Sequence, residues 1–231
     1  MFVALISAAA LAAHGMPPGA CDPAPLSPAA QAVAAPVLDA VAQARAREAA
    51  LPPPRTDAER LTRMGELDQA PRIAFGKVDP SGLSPPDRKA MMAATWCPIM
   101  EIDLANQAAL LAMLPPEGWF THSRYGAEAS QAAFHIVQHG TPELWRRFLP
   151  VLEKLAAQGE VDGQDYGMMY DRLAVTESRP QRFGSQLHCV AGRWTPYPLE
   201  DPGAVDARRL AFHFKKTYSA YLADMATNPP C

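Results

Sequence analysis

His135 and His139 stand four residues apart, a spacing that puts two imidazoles on one face of a helix. A metal-binding pair requires that spacing. The motif of zinc proteases, however, places a glutamate between its histidines. Here Gln138 cannot serve as a base in its stead, and no third ligand is evident nearby, so no metal is assigned. Acid–base chemistry asks for less: one histidine and carboxylates to work with it. His139 with Asp171 is the candidate catalytic pair, and Asp68 and Asp103 are further carboxylates within the same chemistry. Arg72 and Arg172 carry planar forks suited to a bidentate grip on an anionic group. Ser185 follows Gly184, but the string Phe183-Gly184-Ser185-Gln186 lacks the flanks of a nucleophile elbow. No glycine-rich phosphate loop or dinucleotide fingerprint occurs, and no cofactor is expected.

These residues need helices to hold them. Ser27-Pro28 caps a helix running towards Ala50, with Pro36 inside it and Pro52-Pro53-Pro54 as its stop. Thr56-Asp57-Ala58-Glu59 is a capping box ahead of Leu61 and Met64. Ser84-Pro85-Pro86-Asp87 opens a helix expected to be interrupted near Cys97-Pro98 and resumed from Ile99 to Leu114. Further helices are expected from Gly126 to His139, from Pro142 to Gly159 and from Asp162 to Glu177. The segments Gln186 to Val190 and Arg193 to Tyr197 flank Ala191-Gly192 as a hairpin, and a helical region from Ala204 to Met225 closes the chain. The fold class is mainly α: a helical bundle with a small β-hairpin near residues 186–197.

Laid on these helices, several polar residues fall on apolar stripes. Asp68 and Arg72 share the face of Leu61 and Met64, and Asp103 and Asn106 lie among Ile99, Ile102, Leu110 and Met113. His139 borders the face of Ala132 and Ile136, and Glu177 lines up with Tyr166, Tyr170 and Leu173. Burying one such group unpaired costs about 1–3 kcal/mol, so they are expected to satisfy one another or a ligand. Asp171 and Arg172 lie off the stripe of their helix, where an exposed pair is the plain expectation. The turn into Gln181–Gln186 follows directly and can fold over that end.

The strings Asp68-Gln69 with Arg72, Asp103 with Asn106, Gly118-Trp119, Val137-Gln138-His139, Asp171-Arg172, and Gln181 with Phe183-Gly184-Ser185-Gln186 run in order from about Leu61 to Arg209. This ordered set resembles an uncharacterised bacterial family, domain of unknown function 6624. Phe120 stands where that family usually has Pro, and Phe183 and Ser185 stand where it favours Tyr and Thr. The resemblance implies a shared fold and a shared polar site comprising Asp68, Gln69, Arg72, Asp103, Asn106, Trp119, Gln138, Arg172, Gln181 and Gln186 around the catalytic candidates. It implies no activity.

The 231 residues are 48% apolar and 19% charged, the balance of a globular chain. With 21 basic and 24 acidic residues and no long cationic run, nucleic acid is not an expected partner. Arg208-Arg209 and Lys215-Lys216 read as solvated helix faces. Phe2 to Ala13 is an apolar run of signal-peptide length, too short to span a bilayer. The expected organisation is a signal peptide over 1–15, an Ala/Pro-rich leader or tether over 16–55 and a helical domain over 56–231, with no transmembrane segment in the mature chain. A periplasmic or secreted location follows, where Cys21, Cys97, Cys189 and Cys231 can form two disulfides. The preferred pairing is Cys21 with Cys231 and Cys97 with Cys189, out of three connectivities.

Two functional readings stand: a polar site in a helical bundle that binds or hydrolyses a small polar substrate, or a non-catalytic envelope interaction or structural protein. Whether the chain is an enzyme stays open at this point.

Overall fold

The computed structural model describes Cys21 and residues 25–227; the expected signal peptide and Cys231 lie outside the described residues. The described residues form nine α-helices and one two-stranded antiparallel hairpin, the mainly α fold expected, and divide into two compact units. No helix among the described residues is long and apolar enough to cross a membrane.

Unit 1 comprises the chain up to Leu114 together with His135–Thr141. Its first helix, α1 (Pro28–Ala50), starts where Ser27 Oγ accepts from the Ala30 amide with proline at the first helical position. Residues 28–50 lie within the span expected to be a leader or tether. They pack against α2 (Asp57–Phe75) and α3 (Pro85–Ala112) through the buried face Ala30, Ala34, Val37, Val41 and Ala44. Val37 and Val41 meet Ile99 and Ile102 of α3, and Ala30 and Ala34 meet Leu83 and Met91. Small residues at a helical spacing allow the backbones to approach closely.

Thr56 caps α2 by accepting from the Glu59 amide, and the helix continues through Pro71. Ser84 caps α3. The interruption expected near Pro98 is absent: α3 is one helix from end to end. A proline removes one backbone donor, and the buried side chains on either side, Thr95 and Ile99, keep the helix in place. Cys97 is bonded to Cys21, which replaces the expected pairing of Cys21 with Cys231 and of Cys97 with Cys189.

Unit 2 comprises Pro115–Phe134 and Pro142–Cys231. It holds α4 (His122–Tyr125), the first part of α5 (Ala127–Gln138), α6 (Pro142–Ala157) and α7 (Gly163–Thr176). Helices α6 and α7 pack together, burying Trp145, Phe148, Leu149 and Leu152 from one and Tyr166, Met169 and Leu173 from the other. Asp162 caps α7 by accepting from the Gln164 amide. Strands β1 (Leu187–Val190) and β2 (Arg193–Pro196) pair in the register Cys189 to Trp194, and the turn residues Ala191 and Gly192 both have positive φ, which suits the right-handed twist of a tight hairpin.

The expected terminal helical region is split into α8 (Val205–Ala211) and α9 (Tyr218–Met225), with the backbone at His213 at φ 55°. The segment between them turns Phe212 and Phe214 onto a buried aromatic cluster around Phe183, with Tyr166 also in contact. Gly163 and Gly167 of α7 make room for it, since a Cβ would strike the Phe212 carbonyl at one and the Phe214 ring at the other.

Candidate functional site

In unit 1 three elements bring charged groups into one buried cluster. On α2, Asp68 and Arg72 are one helical turn apart, and Arg72 Nη1 donates to Asp68 Oδ1 at 3.0 Å and to the Asp68 carbonyl at 2.8 Å. The other arm of the same guanidinium, Nη2, reaches across to α3 and spans both oxygens of Asp103 at 2.8 and 2.7 Å. His139 follows the last turn of α5, anchored by its amide to the His135 carbonyl, and its Nδ1 lies 2.9 Å from Asp68 Oδ1. Gln69 Nε2 donates to the second Asp68 oxygen at 2.6 Å. Asp68 is fully buried and Asp103 nearly so, whereas the His139 side chain keeps 19% of its exposure.

The electrostatics set the protonation pattern. Burial pushes the Asp68 carboxyl up, but the His139 hydrogen bond and charge, Arg72 and Gln69 outweigh it and hold the group below its ordinary value. Burial dominates at Asp103, whose carboxyl is raised despite Arg72 and is raised further by the charge of Asp68. An ionised Asp68 can only accept, so Nδ1 of His139 carries the proton between them. In the neutral ring Nε2 is then the basic nitrogen, and it has no hydrogen-bond partner among the described residues. Two carboxylates, one guanidinium and one imidazole thus form a cluster that can exchange a proton through the unpartnered nitrogen of a partly exposed ring.

Asp68, Asp103 and His139 each offer a ligand atom within 4.8 Å of the others, a spacing that metal sites use. Arg72 already supplies the cation there, and a metal ion would have to displace its hydrogen bonds to both carboxylates. The His135 ring stacks near His139 with centroids 6.4 Å apart, and burial lowers its pKa. The anion that Arg72 grips is the protein's own Asp103, so its fork is already engaged.

Asn106, a turn beyond Asp103 on α3, donates to the Met64 carbonyl at 3.0 Å and ties α3 to α2 outside the cluster. Gln138 is half-buried in the last turn of α5.

In unit 2 the expected site residues form a different arrangement. Asp171 is fully buried, not exposed, because residues 182–185 fold over it. Its carboxylate accepts from the amides of Arg182, Phe183 and Ser185 and from the Ser185 hydroxyl, at 2.7 to 3.2 Å. The carboxylate that orients His139 is therefore Asp68, while Asp171 holds a loop. Gln181, also buried, donates to the carbonyls of Gln186 and Tyr197 and accepts from the Gln186 amide, and the Gln186 side chain donates to Ser185 Oγ. Arg172 lies over the Trp145 ring at 5.9 Å, and burial lowers its pKa. Trp119 is fully buried against Phe148 and Phe120, with its indole nitrogen unpartnered. Glu177 bonds Arg146 and Arg179 rather than entering a core.

The sequence gives little sign of two further titratable groups, the half-buried Asp165 and the buried Arg209. Asp165 was overlooked because the cap Asp162 explained that turn. Arg209 was read as a solvated face, yet it is 4% exposed. Its only sequence signal was the flanking aromatics Phe212, Phe214 and Tyr221.

Among curated proteins and among solved structures, nothing matches the chain. A family model does, over residues 54–224, which span the elements carrying both polar arrangements. The chain belongs to that family, the family of unknown function DUF6624.

Proposed function

We propose that the Asp68–His139 pair is an acid–base site acting on a small polar substrate, with hydrolysis as the reaction class. The observation that carries this reading is the asymmetry of His139: Nδ1 is held by a buried carboxylate while Nε2 is unpartnered and the ring partly exposed. A histidine kept only for packing would be expected to satisfy both nitrogens or to lie at the surface. Asp68 fixes the tautomer and stabilises the imidazolium as Nε2 takes a proton from water or a substrate hydroxyl, and Nε2 returns it to the leaving group. Arg72 and Gln69 help to keep Asp68 ionised, and Asp103 anchors the other arm of the Arg72 guanidinium. The Cys21–Cys97 bridge supports a setting outside the reducing cytosol, in keeping with an exported protein. The alternative, an envelope interaction protein, draws on the hairpin, where Trp194 is 44% and Val190 47% exposed.

Turnover of a chromogenic acetate ester, a phosphate monoester and an anilide by the full chain tests the reading. His139→Gln is expected to lower turnover of at least one substrate by about 100-fold or more while the melting temperature stays within about 2 °C. Unchanged turnover, no turnover by the parent chain, or a melting temperature lowered by about 8 °C or more would place the cluster among structural networks.

A further inference from the structure

We propose that unit 2 carries a separate binding site for a small carboxylate with an apolar body, built around Arg209. Arg209 projects from α8 into the interior, with Nε donating to the Lys216 carbonyl at 2.9 Å and Nη1 to the Phe183 carbonyl at 2.7 Å. Its guanidinium lies over the Phe214 ring at 4.5 Å and the Tyr221 ring at 5.3 Å. The remaining arm, Nη2, makes no hydrogen bond among the described residues, and no carboxylate there comes within ion-pairing distance of the group.

The nearby acids are committed elsewhere. Asp171 holds the 182–185 loop, Asp206 accepts from the Tyr218 amide at 2.6 Å, and Asp224 pairs with Lys216. Among the described residues, Arg209, 4% exposed, is held by two carbonyls and two ring faces and gains no counter-charge within ion-pairing distance, which favours an anion brought from outside.

There is room for one. Arg209 lines a cavity of about 300 Å³, at the lower end of ligand-site volumes, together with Met168, Phe214, Tyr221, Met225 and Lys215. Lys215 adds a second positive charge. The methionine and aromatic walls suit a hydrocarbon body, and one guanidinium arm suits a carboxylate better than a group demanding many donors.

Hexanoate, hexan-1-ol and inorganic phosphate, titrated into the full chain and followed by calorimetry and amide NMR, distinguish the possibilities. Hexanoate is expected to bind saturably with Kd on the order of 1 mM or tighter, shifting the amides of residues 209 and 214–221, with hexan-1-ol and phosphate at least about tenfold weaker. Met168→Trp, which fills the cavity and leaves the arginine, is expected to weaken hexanoate about tenfold or more. Arg209→Lys, which keeps the charge and loses the fork, should do the same. Should Arg209→Lys fail to fold, Met168→Trp decides alone. Equal binding of hexan-1-ol removes the arginine's role, and equal binding of phosphate removes the apolar body. Absent saturation, or binding unchanged by Met168→Trp, overturns the site.

Discussion

Ionised Asp68 accepting from His139 Nδ1 shows how much one carboxylate decides: which ring nitrogen is basic, and which way it faces. Asp165, in the first turn of α7, shows the opposite use of burial. Its carboxyl accepts from Gln131 Nε2 at 2.6 Å, but burial and the charge of Asp162 push its pKa up to about 7. The folded state then binds the proton more tightly than the unfolded chain, whose Asp titrates near 4. Stability therefore falls as pH rises from about 4 to about 7, and the whole loss persists above that range. Asp165→Asn removes the titrating group and is expected to stabilise the chain at pH 8 by about 2 kcal/mol, roughly half of what the full shift would give because the side chain is only partly buried, with little gain at pH 4. Urea unfolding at both pH values checks this. A variant less stable than the parent at pH 8 would contradict it.

At the scale of elements, Asp171 joins α7 to the segment that follows it. Asp171→Ala strands the amides of Arg182, Phe183 and Ser185, and a loss of about 3 kcal/mol is expected, with faster hydrogen exchange at those three amides. A melt within about 2 °C of the parent would show the loop to be held by its aromatic packing instead. Helical periodicity exposed Asp68 and Asp103 because each lies on an apolar stripe whose partner is another helix. Asp171 lay off its stripe because its cover comes from residues 182–185, an irregular segment with no period to read. The caps Ser27, Thr56, Ser84 and Asp162 were legible, since each needs only a side-chain oxygen and an amide two or three residues on. The fate of Pro98 was not, because whether a helix continues through proline depends on what packs on both sides of it.

For the whole molecule, composition and caps pointed in different directions. Alanine and proline over 28–50 read as a tether, yet the same small residues make a core-facing helix, and composition cannot separate the two without knowing what lies opposite. The Cys21–Cys97 bridge closes a loop with a sequence separation of 76, worth about 4 kcal/mol in the chain-entropy picture. Its connectivity was beyond the sequence because spacing does not encode which cysteines meet. The candidate site was legible in its membership: Asp68, Arg72, Asp103 and His139 were all singled out. What was missing was the pairing, which depends on how the end of α5 meets α2 and α3. That pairing is open to direct measurement by ¹⁵N NMR of the His139 ring in the parent chain and in Asp68→Asn. At a pH where the ring is uncharged, the expected result is the tautomer with its proton on Nδ1 and Nε2 bare, and a shift of that tautomer balance in Asp68→Asn. An uncharged ring with its proton on Nε2, or a tautomer balance indifferent to Asp68→Asn, would contradict the acid–base reading.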